Sequence, residues 1–208
     1  MEHSPAGPPA AGSVCSDREA LLQAVLEPLR LNRSPNLRIA TLAKSANLPL
    51  DRAKELYPDD ASILAGLSAQ GFARLEARMR KAAEEHSDPL MAFRAAGVAY
   101  VTFALDFPQH FQVMFHDRHY EEFEEYAQDA ADSSFGAILE LIALCQAHGR
   151  MREGDRNEIA ALAWAMVHGI ATLGMAGRLR GHSHPFRNRD AFLEFADRCT
   201  KQVCESLG

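Results

Sequence analysis

The chain has 208 residues, 47% of them hydrophobic and 24% charged, with a formal net charge of −6 at pH 7. That length admits one large domain or a small domain joined to a larger one, and the composition is that of an ordinary globular protein. The net negative charge argues against indiscriminate binding to nucleic acid or to an anionic membrane surface. Four cysteines at irregular positions, with no C-x-x-C pair, make neither a disulfide framework nor a zinc site, and fit a reduced, cytoplasmic setting.

The opening stretch, MEHSPAGPPAAGSVCS, carries no positive cluster and no continuous apolar run, so it is not a secretory signal. Its Pro, Gly, Ala and Ser content reads as a disordered arm over residues 1–15. A first helix is expected from about Ser16 to Leu31, capped by Ser16 or Asp17, with Leu22, Val25, Leu26 and Leu29 inward and Pro28 kinking or shortening it. Next come two short helices joined by a tight connection. Leu42, Ala43 and Ala46 give the first of these an apolar stripe. Asn47 suits a cap or left-handed turn. Leu48 plugs back into the core, and Pro49 suits a turn or a first helical turn. Asp51–Leu56 forms the second helix, with Ala53 and Leu56 inward and Arg52, Lys54 and Glu55 outward. This is the layout of a helix-turn-helix, whose second helix lies in the DNA major groove.

A long helix then starts at Asp59 or Asp60. It runs through Leu64, Leu67, Gly71, Leu75 and Met79 to about Glu85. Ser87-Asp88-Pro89 starts the next, which Pro108 closes after Phe107. A short helix over Gln109–His116 follows. A longer one over Tyr120–His148 has an acidic outer first half and a buried second half built on Phe135, Ile138, Leu139, Ile142 and Leu144, and Gly149 ends it. Gly154-Asp155 opens an apolar helix. Its Ile159–Gly177 stretch carries no formally charged residue and approaches bilayer-spanning length. Its Ala, Gly, Thr and His content favours a helix buried in a large core. Gly181–Pro185 reads as a loop, and a last helix runs from Arg187 or Asn188 to near Leu207. No strand-like alternation persists, so the chain reads as all-α.

The stretch Asp17–Leu64 resembles the DNA-binding domain of the tetracycline-repressor (TetR) family of transcriptional regulators. Arg18-Glu19-x-x-Leu22 looks like that family's opening helix. Leu42-Ala43-x-x-Ala46-Asn47-Leu48 sits where the family usually reads Ile-Ala-x-x-Ala-Gly-Val. Tyr57-Pro58 and Ile63-Leu64 fall on its Phe-x-x-Lys-x-x-Leu-Leu. Lys54 stands where the family has a Tyr that touches phosphate, and Asp60 where it has a phosphate-binding Lys. Ala99–Pro108 and Trp164-x-x-x-His168-Gly169 are similar to the C-terminal domain of one subgroup. The resemblance implies an N-terminal three-helix helix-turn-helix domain (16–64, with the start of a linker helix) followed by a helical ligand-binding and dimerisation domain (65–208). It also implies a homodimer joined through the last two long helices, a DNA operator that is roughly palindromic, a small, largely apolar effector, and the activity of a repressor.

Between Asp17 and Leu64 the basic residues Arg18, Arg30, Arg33, Arg38, Lys44, Arg52 and Lys54 are matched by Asp17, Glu19, Glu27, Asp51, Glu55, Asp59 and Asp60, a formal sum of zero. A DNA reader normally presents a basic face. Arg52 and Lys54 are the first candidates for DNA contact, with Arg38, Lys44 and Asn47 behind them. Asp51 would repel phosphate or accept from a cytosine amino group. Tyr100, Phe103, Phe107, Phe111, Met114, Phe115 and Trp164 either line an apolar pocket or fill the core. Tyr100 and His168 would add polarity, although a His on an apolar helix is more often a hydrogen-bonded core or interface residue than a ligand. His116, His119 and Glu122, at i, i+3 and i+6, fall short of a metal's ligand set. No phosphate loop, G-x-S-x-G or H-E-x-x-H appears, and Cys145 among leucines reads as an inert thiol, so neither enzyme nor cofactor is expected. The alternative is a dimeric ligand- or protein-binding module whose helix-turn-helix no longer binds an operator.

Overall fold

The computed structural model describes residues 11–31, 37–115, 120–179 and 188–207, and these fold into α-helices without a strand. In chain order they are α1 (Ala11–Leu31), α2 (Ile39–Ser45), α3 (Leu50–Leu56), α4 (Asp60–Glu84), α5 (Pro89–Asp106), α6 (Pro108–Met114), α7 (Tyr120–Ala147), α8 (Arg156–Met175) and α9 (Arg189–Leu207).

Helix α1 begins ahead of the expected Ser16, inside the segment read as an arm, and Val14 packs against the N-terminal core. Pro28 does not shorten α1, which runs on to Leu31. The connection between α2 and α3 follows the sequence closely. Asn47 takes φ 56°, and the Leu48 N–H donates to the Ala43 carbonyl at 2.9 Å. Pro49 is the residue before α3. Leu42, Ala43, Ala53 and Leu56 bury against Leu21 and Val25 of α1 and Ile63 and Leu67 of α4. Asp59 caps α4 in a reciprocal box. Its carboxylate accepts the Ser62 N–H at 2.7 Å, and the Ser62 hydroxyl accepts the Asp59 N–H at 3.2 Å.

Helix α4 belongs to two cores. Ile63, Leu64 and Leu67 complete the N-terminal one, whereas Leu75 and Met79 join Tyr100, Phe103, Phe111, Val167 and Ile170 in a second. A third cluster, with Phe93, Ile142, Cys145, Ile159 and Leu207, closes the far end. Asp88 caps α5 by accepting from Leu90 and Met91 N–H at 2.8 and 3.2 Å, with Pro89 as first residue. Helix α6 is short but pivotal: Val113 lies in the N-terminal core, while Phe111 and Met114 lie in the second.

Two expectations of burial are corrected. Leu144 is 50% exposed. Helix α8 buries Ile159, Ala160, Val167, Ile170 and Ala171, yet Leu162, Trp164 and Leu173 stay 51, 44 and 45% exposed. Apolar composition shows that a residue avoids water; it does not distinguish this chain's own core from a surface that something else covers. By length and hydropathy alone α8 and the 127–147 part of α7 would each cross a membrane. In this fold α8 packs on α5 and α9, and α7 on α4.

Candidate DNA-binding surface and ligand cavity

On the helix-turn-helix, Arg38, Lys44, Asn47 and Lys54 are exposed. Arg52 is not free. Its Nε donates to Asp17 Oδ2 at 2.9 Å and its Nη1 to Glu55 Oε2 at 3.1 Å. Its side chain is only 19% exposed, and Nη2 is enclosed without a partner. Asp17, then Glu55, hold the guanidinium above its usual range. The residue ranked first for DNA contact therefore ties α3 to α1. Asp60 also has a structural task. Its Oδ1 accepts the Ile39 N–H at 3.1 Å, capping α2, whose own N-cap residue Arg38 offers no side-chain bond. Asp51 sits exposed in the first turn of α3, where a negative charge favours the helix dipole.

The C-terminal helices enclose a cavity of about 250 Å³. Ser68, Phe72, Leu75 and Met79 of α4 form one wall, a stripe at i, i+4, i+7 and i+11. Facing residues come from α5 (Gly97, Tyr100), α6 (Val113, Met114), α7 (Ala131, Ser134, Phe135, Ile138), α8 (Trp164, Val167) and α9 (Thr200, Val203). Of the residues expected to line a pocket, Tyr100, Met114, Phe115 and Trp164 do so. Phe103, Phe107, Phe111 and His168 lie outside the lining. Phe103 is fully buried, the Arg74 and Arg78 guanidiniums sit 5.6 and 4.7 Å from the Phe107 ring centre, and Phe111 stacks on His168 at 5.3 Å.

His168 acts from behind the wall. The Trp164 indole N–H donates to Tyr100 Oη at 3.1 Å, and Tyr100 Oη lies 2.9 Å from His168 Nδ1. An indole only donates, so Tyr100 accepts there, and its own O–H is left to donate to His168 Nδ1 when that nitrogen carries no proton. That chain needs a neutral imidazole. Burial supplies it by lowering the His168 pKa, and burial likewise raises that of the Tyr100 phenol.

A second polar chain joins the two ends of the molecule, and sequence reasoning missed it. His110 of α6, 1% exposed, lies with Nε2 2.8 Å from Gln70 Oε1 on α4. Gln70 Nε2 in turn donates to Glu19 Oε2 on α1 at 2.5 Å, and Arg74 Nη2 donates to Glu19 Oε1 at 3.1 Å. Burial, with Arg74 nearby, pushes the His110 pKa down to about 4, so the ring is neutral and Nε2 is the donor. Beside it, a Cβ on Gly71 would lie 2.5 Å from Met114 Sδ, so glycine is what lets α6 seat closely on α4. The one available signal was a glycine on an otherwise bulky apolar stripe.

His116, His119 and the Glu122 side chain lie outside the described residues. Among the described ones no group of three His, Cys, Asp or Glu stands placed to hold a metal. Cys145 is fully buried, and burial pushes its thiol up to about 11, away from the reactive thiolate.

Residues 93–198, just over half of the chain, match the family model of the tetracyclin repressor-like C-terminal domain. No curated protein matches the chain. Among solved structures, a protein of unknown function from Rhodococcus sp. RHA1 is 26% identical, with a TM-score of 0.79 over 99% of each chain. A TetR family transcription regulator from Marinobacter aquaeolei VT8 shares 13% identity and a TM-score of 0.64 over 93% of this chain and 98% of that one. The fatty acid degradation regulator FadR from Bacillus halodurans shares 9% identity and a TM-score of 0.74 over 98% and 97%.

Proposed function

Because the chain belongs to the TetR family of transcriptional regulators, we propose that it is a ligand-responsive repressor that binds a roughly palindromic operator as a cytoplasmic homodimer. The carrying observation is α6, which places Val113 in the N-terminal core and Met114 both in the second core and on the cavity wall. A ligand pressing on that wall pushes on the element that supports the helix-turn-helix. It changes DNA affinity only by binding one arrangement of α4 and α6 better than the other. Residues 16–64 serve as the DNA-binding domain and 65–208 as the ligand-binding and dimerisation domain, with α4 shared between them.

The uncovered face of α8 supports the dimer. Leu162 and Leu173 are exposed, and beyond the neighbouring backbone of α8 no atom of the described residues lies within 4 Å of a Cβ placed on Gly169. Pairing that face and α9 with a second copy would set two α3 helices about one DNA turn apart. Arg38, Lys44, Asn47 and Lys54 are the DNA contacts of this reading, with Arg52 positioning α3. We assign no catalytic role to the site: of its lining groups, Tyr100 is bonded by Trp164 and Asp132 by Gln128, and His168 lies behind the wall.

The test is binding of the full chain to its own upstream DNA, beside unrelated DNA, at two salt concentrations. Selective binding that weakens with salt is expected. The alternative, a ligand- or protein-binding dimer without an operator, draws on the internal pairing of Arg52, which leaves Arg38, Lys44 and Lys54 to make the basic face. Absence of selectivity at low salt favours it.

A further inference from the structure

Ser68 and Ser134 are 3% and 5% exposed, and both line the cavity. Neither hydroxyl has a hydrogen-bond partner among the described residues, although buried polar groups normally have one. Neither is a sealed orphan: among the described residues the one fully enclosed side-chain nitrogen or oxygen without a partner is Arg52 Nη2. Both hydroxyl oxygens therefore keep some accessible surface, on residues that line the cavity. The charged lining residues are already committed. Arg94 holds Asp197 through two bonds of 2.9 and 2.5 Å, and Asp132, exposed at the rim, accepts from Gln128 at 2.7 Å. The wall from Ser68 to Met79 spans eleven residues of α4, about 16 Å at 1.5 Å per residue, room for a chain of about ten carbons.

We infer that the effector is an elongated, uncharged, apolar molecule carrying hydroxyl or carbonyl oxygen, which Ser68 and Ser134 hydrogen-bond. This deepens the ligand-cavity reading above and rests on it. An ionised carboxylate inside this cavity would be buried without an unengaged cation, and Asp132, whose partner Gln128 is neutral, is exposed to solvent, where its screened charge offsets little of the cost of burying an ammonium. A neutral oxygen gains bonds from hydroxyls that otherwise have none. Ser68 follows Leu67, which shares the N-terminal core with Val113, and lies three residues before Gly71, on which Met114 seats, so an oxygen held there is near the element that joins the two cores.

Trp164 is the chain's single tryptophan and lines the cavity, so its fluorescence reports occupancy. The full-length protein is titrated with decanol, decanoate, decyltrimethylammonium and butylbenzene at about pH 8, where the carboxylate is charged. Decanol is expected to bind at least tenfold tighter than either charged probe. The double variant Ser68→Ala/Ser134→Ala is expected to weaken decanol about tenfold, the value of one to two hydrogen bonds, while butylbenzene binds as before. Since these hydroxyls hold nothing in the chain, the variant keeps or raises its melting temperature, whereas a structural role would lower it. Decanoate or decyltrimethylammonium binding as tightly as decanol overturns the uncharged class and leaves the cavity reading standing. Equal decanol affinity in the double variant overturns the role of the serines. Failure of all four probes to move the Trp164 signal overturns the cavity reading and this inference with it.

Discussion

The two ends of this molecule treat their polar groups in opposite ways. In the N-terminal helices nearly every acid near the core holds something in place: Asp17 holds Arg52, Asp59 caps α4, Asp60 caps α2, and Glu19 gathers Gln70 and Arg74. Around the C-terminal cavity, Ser68 and Ser134 hold nothing. A closely packed end whose acids are tied to neighbours presents a fixed surface. A hollow end with open hydroxyls is built to accept something. Helix α6 stands between them, with Val113 in one core and Phe111 and Met114 in the other.

The largest test of that contrast compares two leucines on α4. Leu67, fully buried in the N-terminal core, is packed on all sides; Leu75, 2% exposed, has the cavity on one side. Leu67→Ala is expected to cost about 4 kcal/mol and Leu75→Ala about 2 kcal/mol, because a residue facing a void gives up fewer contacts. Equal costs in denaturant unfolding would erase the distinction between the cores.

The next effect concerns the link. Burial holds His110 at a pKa of about 4, against 6.5 for the free side chain. Between those values the unfolded chain binds more protons, so stability is full above pH 6.5 and falls as the pH drops towards 4. Moving from neutral pH to about pH 5 is expected to cost about 2 kcal/mol from this group. Lowered in the same direction, His168 adds to the loss. His110→Gln should flatten the dependence, as read from unfolding curves at both pH values.

Smaller effects separate bracing from DNA contact. Asp60→Ala removes the cap on α2 and is expected to cost about 1 kcal/mol, while Asp60→Asn keeps an acceptor oxygen and most of the stability. Arg52→Ala frees α3 from α1 and should lower the melting temperature slightly as well as weakening DNA binding. Lys44→Ala and Lys54→Ala should change stability by less than about 0.5 kcal/mol. Each that meets a phosphate should reduce the salt dependence of DNA binding by about one ion.

The sequence was most informative where structure is local. Asn47 in a left-handed turn, the caps at Asp59, Asp88 and Asp155, and the apolar stripe of α4 are all set by neighbours a few residues away. What it hid depends on distant partners. Arg52 faces outward on a helical wheel, but Asp17 meets it from α1 across a separation of 35 residues. Asp60 stands where the resembling family has a phosphate-binding Lys, and its task as a cap shows only once the Ile39 N–H is seen to donate to it. Periodicity also marks a side chain as inward-facing without revealing whether the interior is filled. Hence Phe103, Phe107 and Phe111 lie outside the cavity lining, whereas Ser68 and Ser134, unremarked in the sequence, line the hollow.

Under the proposed function, filling the cavity is felt at the helix-turn-helix through α6. The direct measurement is DNA affinity of the full chain, by fluorescence anisotropy of a labelled upstream duplex, before and after saturation with decanol as monitored at Trp164. A change of at least tenfold is expected, diminished when Val113→Ala loosens α6 from the N-terminal core. A cavity visibly occupied while DNA affinity stays the same would contradict it.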